Sequence, residues 1–390
     1  MGIRGFLHSL PRGYSVLFVL GVTVLLLAND AWPDSGSADT DLFGLLLSYA
    51  VGAAALFTAI DRDHLKRKLP RLVAVLTVIV VSTAAALGAA EEAVRLVYRD
   101  VTSSADNRGF FTRRWARSGL VAMNSRGFRE REFAAVPDRG VYRIAVVGDS
   151  FTFGNGIHAE QRFSNEIQQA LGPGFEVLNL GVPGHNTPDH LDLVRRTVLG
   201  LHPDFVLLQW FVNDVEGDTV GRPTYAPLLP FAALHDRLED DSAFYTLLNS
   251  WWTRQQIRRH SQQSYPAYLQ AAYGDPQGEP ARLDIAMTRA VLSTLQAAHV
   301  GVGEVLFPDA GYDLGPAYPF EFLHARVLQI CDEEHVQSLD LRPAFATVKH
   351  RQTLWASPLD AHPGALANSI AAVQILQAFE QGWLTARGSS

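Results

Sequence analysis

The sequence predicts an α/β protein: a parallel sheet wound on both faces by helices, preceded by an N-terminal hydrophobic region that crosses a membrane. Three observations carry this expectation. From Tyr142 onward, short and nearly continuous apolar runs alternate with amphipathic helical stretches, the pattern of strands buried on both faces. The first run, in YRIAVVGDSFTFGNGI, breaks into Gly148-Asp149-Ser150 at its carboxyl end, where open α/β sheets place their chemistry. Three long apolar stretches lie in the N-terminal quarter, whereas the rest of the 390-residue chain has ordinary globular composition.

The elements follow in order. Arg143 to Gly148 is the first expected strand, and Ala159 to Leu171 a helix with Phe163, Ile167 and Leu171 on one face. Phe175 to Asn179 is the second strand and Pro188 to Leu201 the next helix. Phe205 to Trp210, almost wholly apolar, is the third strand and leads to Asn213. Gly301 to Phe307 and Gln337 to Leu341 supply two more, with helices over Ala281 to Ala298 and Phe320 to His335. A last helix runs from about Gly364 to Gly382. The interval 216–280 breaks the rhythm with aromatic, mostly helical chain that includes Tyr225, Phe231, Trp251 and Trp252. Such an insertion either caps a site at the sheet edge or packs as a helical subdomain without touching it.

The apolar stretches Tyr14 to Ala28, Leu42 to Ile60 and Leu72 to Ala90 each approach the ~20 residues that cross a bilayer as a helix. Arg4 and Arg12 before the first leave a signal peptide open, but Leu27-Ala28-Asn29-Asp30-Ala31 is a poor cleavage site. The connector Asn29 to Asp41 has no Lys or Arg, while the next holds Arg62, Lys66, Arg67, Lys68 and Arg71. Positive residues stay in the cytoplasm, so three crossings place the chain after about Glu91 outside, in the periplasm or extracellular space. The expected organisation is a membrane region at 1–92, a connector at 93–140, and a catalytic domain at 141–386.

The chemistry-bearing residues come in series. After Gly148-Asp149-Ser150 stand Asn179-Leu180-Gly181-Val182-Pro183-Gly184, then Asn213-Asp214, then Asp360-Ala361-His362-Pro363. Any one of these is ordinary turn chemistry. The series resembles the four motif blocks of the SGNH (GDSL-type) hydrolases, and Asn124 to Arg129 resembles a segment found before the serine strand in membrane-anchored relatives. The resemblance implies a flavodoxin-like, three-layer α/β/α sheet and a serine esterase. It implies Ser150 as nucleophile, His362 as base and Asp360 as the residue that orients the base. The oxyanion hole would comprise the backbone N–H of Ser150, that of Gly184 and the side-chain amide of Asn213, with Asp149 supporting the turn. Two positions depart from the family pattern: Phe211 stands where Gly is common, and the spacing is Asp-x-His rather than Asp-x-x-His. His185 adjoins Gly184, so it either lines the pocket or lies on a surface loop.

The substrate class this implies is an acylated glycan or lipid outside the cytoplasm. Acyl transfer to an exported polysaccharide is the alternative, and so is a non-catalytic anchored glycan-binding protein. A net charge of −7 without a basic stripe gives no case for a nucleic-acid partner. Cys331 is the single cysteine and reads as a buried helix residue, which excludes an intramolecular disulfide. Neither HExxH nor a phosphate loop is present, so no cofactor or metal is implied.

Overall fold

The computed structural model of the protein describes residues 69–99, 109–216, 225–259 and 264–384. It divides into two compact units, 1–99 and 100–390. In the first, helix α1 spans Leu69–Val97. Its stretch Val75–Val97 is the one helix among the described residues long and apolar enough to cross a membrane, and Val75, Leu76, Val78 and Ile79 are all half exposed. The two earlier apolar stretches lie outside the described residues.

The second unit opens with α2 (Phe110–Arg117), which turns Phe111 and Trp115 inward. Strand β1 (Tyr142–Val147) is buried from Arg143 onward, as five consecutive apolar or paired residues require. It feeds a four-residue helix, α3 (Ser150–Phe153), then α4 (Phe163–Leu171) and β2 (Phe175–Asn179). Helix α5 (Thr187–Leu193) crosses to β3 (Phe205–Trp210). The insertion contributes α6 (Ala232–Asp241), α7 (Ala243–Arg259) and α8 (Tyr265–Tyr273), and α9 (Glu279–Ala297) returns the chain to β4 (Gly301–Leu306). The remaining elements are α10 (Glu321–Glu333), β5 (Gln337–Asp340), α11 (Arg342–Ala346), β6 (Trp355–Ser357), β7 (Asp360–Pro363) and α12 (Ala365–Ala378).

The five main strands are all parallel in the order β2-β1-β3-β4-β5, the flavodoxin-like arrangement. Helices α4 and α12 pack together on one face, and α5, α9 and α10 pack in succession on the other. The strand order switches sides between β1 and β3, the point at whose carboxyl ends such sheets place their ligands. Ser150, Gly184 and Asn213 follow β1, β2 and β3, so all three emerge at that edge.

Two local expectations differ. The helix expected over 159–171 breaks at Arg162, whose extended backbone lets its guanidinium turn inward to Ala159 O and Asn165 Oδ1. The helix expected over 188–201 starts at Thr187, capped by Asn186, and ends in π and 3₁₀ turns. The segment holding Asp360 and His362 is a strand paired antiparallel with β6. Between α2 and β1, Gly127 has a φ of 85° in a turn closed on the Asn124 side chain.

Candidate active site

The Gly148-Asp149-Ser150 turn depends on close approach. A Cβ on Gly148 would lie 2.2 Å from Thr152 Oγ1 and 2.4 Å from Gln209 Oε1, so only glycine lets β1 end against β3 here. Asp149 caps α3 by accepting from Phe151 N at 2.8 Å. Gln209 Oε1 on β3 accepts from the N–H groups of Asp149 and Thr152, both at 3.2 Å, and from Thr152 Oγ1 at 2.8 Å. Asn179 adds a second brace, its amide donating to Thr152 O at 2.6 Å and Ser164 Oγ at 2.7 Å. The serine therefore stands on a turn fixed from two neighbouring strands.

Ser150 Oγ lies 2.9 Å from His362 Nε2, and His362 Nδ1 lies 2.5 Å from Asp360 Oδ1. The same Oδ1 accepts from the His362 backbone N–H at 3.0 Å. The Asp-x-His spacing works because β7 is a strand: residues two apart project from one face. Gly364 N donates to Leu354 O at 2.7 Å, and Asn368 holds Pro363 O and Gly364 O at 2.9 and 3.0 Å, so the hairpin is anchored to α12. Phe151 meets the imidazole edge-on at 5.4 Å and stacks against Phe211 at 4.0 Å. The residue at the family's usual Gly position thus packs on the ring that meets the histidine.

Burial opposes a charged imidazole, but the charge and hydrogen bond of Asp360, followed by the charges of Asp149 and Asp309, outweigh it and raise the His362 pKa above its ordinary value. Asp149 is itself pushed up by burial, against the Phe151 N–H, the His362 charge and the nearby amides of Asn213 and Gln209. Burial likewise raises Asp309 to about 6.

The glycine pair of the second block divides its work. A Cβ on Gly181 would sit 2.3 Å from Phe153 N, so this glycine lets the loop pack on α3. Gly184 is exposed, with open space where its side chain would be and a φ of 82°, a conformation glycine adopts without strain. Asn213 is half-buried on the 3₁₀ turn Val212–Val215. Asp214, beside it, is fully buried and strongly raised in pKa by desolvation, and its Oδ2 accepts from Phe211 N at 2.9 Å to close that turn.

Three neighbours escaped the sequence reading. Gln209 looked like one polar residue in an apolar strand; its place beside the Gly-Asp-Ser turn was the signal. Asp309 follows β4 on a loop held to the β6–β7 hairpin, where Trp355 Nε1 donates to Ala310 O at 2.9 Å. His190 is buried beneath Gly148, and desolvation lowers its pKa to about 3, so it stays neutral. His185 lies 6.2 Å from it, ring to ring, and is half-buried. A second His–Asp pair, His324 with Asp340 at 3.2 Å, sits in the core against Trp210 and Tyr318. No group of metal-ligating side chains occurs among the described residues.

Residues 146–370, from β1 through the β6–β7 hairpin into α12, match the GDSL-like lipase/acylhydrolase family. The chain belongs to that family. As a GDSL-like acylhydrolase it is an enzyme that hydrolyses ester bonds. No curated protein matches it. Among solved structures, the acetyl xylan esterase AlAXEase is similar at 17% identity, over 60% of this chain and 98% of its own, with a TM-score of 0.39. TesA is 14% identical over 61% and 98%, at a TM-score of 0.38. Axe2, an acetylxylan esterase from Geobacillus stearothermophilus, is 16% identical over 63% and 97%, also at 0.38.

Proposed function

We propose that this GDSL-like hydrolase is a membrane-anchored serine esterase that cleaves O-acyl esters of exported glycans or lipids through an acyl-enzyme. The observation that carries the reading is the unbroken chain from Ser150 Oγ through His362 to Asp360, at 2.9 and 2.5 Å. With Asp360 accepting from Nδ1–H, Nε2 takes the Ser150 proton as Oγ attacks the ester carbonyl. The backbone N–H groups of Ser150 and Gly184 and the Asn213 amide receive the oxyanion. His362 then returns the proton to the departing alcohol, and a water deprotonated by the same nitrogen releases the acid and restores Ser150.

The membrane reading rests on the apolar α1 and on the charge asymmetry of the upstream connectors. We assign 1–92 to the membrane region, 93–140 to the connector and 141–386 to the hydrolase domain, with its catalytic face outside the cytoplasm.

A fluorophosphonate probe should label the wild type and leave Ser150→Ala unlabelled. Ser150→Ala and His362→Ala should each abolish hydrolysis of p-nitrophenyl acetate, and the double variant should be scarcely worse, because triad members act as a unit. Label on Ser150→Ala would place the nucleophile elsewhere.

A further inference from the structure

Arg129 lies outside every motif block and is 2% exposed. Its Nη1 donates to Phe153 O at 3.1 Å and Gly154 O at 2.7 Å, and its Nη2 to Ile157 O at 2.7 Å and Leu120 O at 2.8 Å. Nε adds a bond to Leu120 O at 3.1 Å. Trp115 and Phe153 cover the guanidinium, with ring centroids 5.3 and 5.6 Å from its central carbon. Burial, with Arg162 alongside, lowers its pKa to about 10, so it remains charged at neutral pH.

What this cation holds is the back of α3. A helix leaves its last carbonyls without intrahelical partners, and α3 has only four residues, so its carboxyl end has little support of its own. The guanidinium satisfies Phe153 O and Gly154 O directly, and a positive charge is favoured at that end of a helix. Gly154 closes α3 at a φ of 79°, where a Cβ would meet the Arg162 side chain at 2.6 Å. Arg162 donates in turn to the Arg129 carbonyl, and lies 3.5 Å from Glu130 Oε2, which accepts from Asn179 N at 3.1 Å. The grip therefore reaches the second motif block from behind. Only a planar fork with five donors spans these carbonyls; a lysine ammonium is a single point.

We infer that Arg129 is a positioning residue for the nucleophile: it clamps the carboxyl end of the Ser150 helix to the segment 115–130, which makes that segment part of the catalytic machinery. This rests on Ser150 being the nucleophile. It adds a grip on α3 from outside the family match, since Arg129 precedes residue 146.

The test uses the full chain in detergent, with p-nitrophenyl acetate as substrate and active sites counted by fluorophosphonate titration. Arg129→Lys should lower kcat per titrated site at least tenfold, leave KM within twofold, and slow labelling in parallel. A scaffold role alone would lower the melting temperature and the number of active sites but leave kcat per site unchanged, and that result overturns the inference. If Arg129→Lys does not fold, Trp115→Leu decides, since it removes the ring that holds the guanidinium against those carbonyls and leaves an apolar side chain in the core. A threefold or greater loss of kcat at constant KM supports the clamp, and an unchanged kcat overturns it. Ser150→Ala runs beside them. Label on that variant overturns the nucleophile reading and the clamp together, whereas normal turnover in Arg129→Lys with Ser150→Ala inert overturns the clamp alone.

Discussion

His362 faces three carboxylates in different states, and its titration follows from them. Asp360 bonds it directly, Asp149 is tied up as a helix cap, and Asp309 sits buried on the neighbouring loop with a pKa of about 6. Since the His362 pKa is raised above the ordinary 6.5, and Nε2 must be unprotonated to take the Ser150 proton, the acidic limb of kcat/KM should lie above pH 6.5. Asp309→Asn keeps an oxygen for Gly311 N, now 2.8 Å from Asp309 Oδ1, but removes a negative charge that favours the imidazolium. Its pH profile should shift toward lower pH with little change in the plateau. A limb that stays in place would separate Asp309 from the histidine.

At the scale of elements, the second motif block tests how glycine is used. Gly181→Ala drives a methyl into α3 backbone, 2.3 Å from Phe153 N, and should destabilise the fold by about 1–3 kcal/mol while displacing Ser150. Gly184→Ala meets open space and should cost only the left-handed backbone strain, about 1–2 kcal/mol. Urea denaturation with esterase assays checks this: a folded Gly181→Ala protein as active as the wild type would refute the division. The sheet and the two glycines were legible because buried parallel strands read as apolar runs and the motifs sit at their ends. The Asp360–His362 hairpin was not, because β6 and β7 have only three and four residues and their pairing depends on Gly364 fitting against Trp355 O. The helix break at Arg162 was hidden as well, since it answers to a long-range contact with Arg129 that local periodicity cannot report. The insertion was left open between cap and subdomain. Its helices α6 and α7 pack on α2, and α8 packs on α9, with Leu269 and Tyr273 in the core.

Over the whole molecule, stability and placement follow from where charge is tolerated. Glu304 on β4 is buried and its pKa is pushed up to about 8 by desolvation. The unfolded chain releases that proton near 4.5, so the folded state holds more protons between these values and stability falls as pH rises through the window. Glu304→Gln removes the titration, and should raise the melting temperature at pH 9 more than at pH 5; equal shifts at both would refute this. Charge is also the basis of the membrane orientation we propose. Asn29 to Asp41 carries four aspartates and no basic residue, whereas Arg62 to Arg71 carries five basic ones. Moving the second connector outward would carry those five charges across the bilayer, so the topology we propose keeps the N-terminus and this connector in the cytoplasm and, with three crossings, puts the hydrolase outside. If the first stretch were cleaved, two crossings from an external start would give the same result. A reporter active only outside the cytoplasm, fused after Ser390, should therefore be active, and a cytoplasm-restricted reporter at the same position silent. The reverse pattern would overturn the placement.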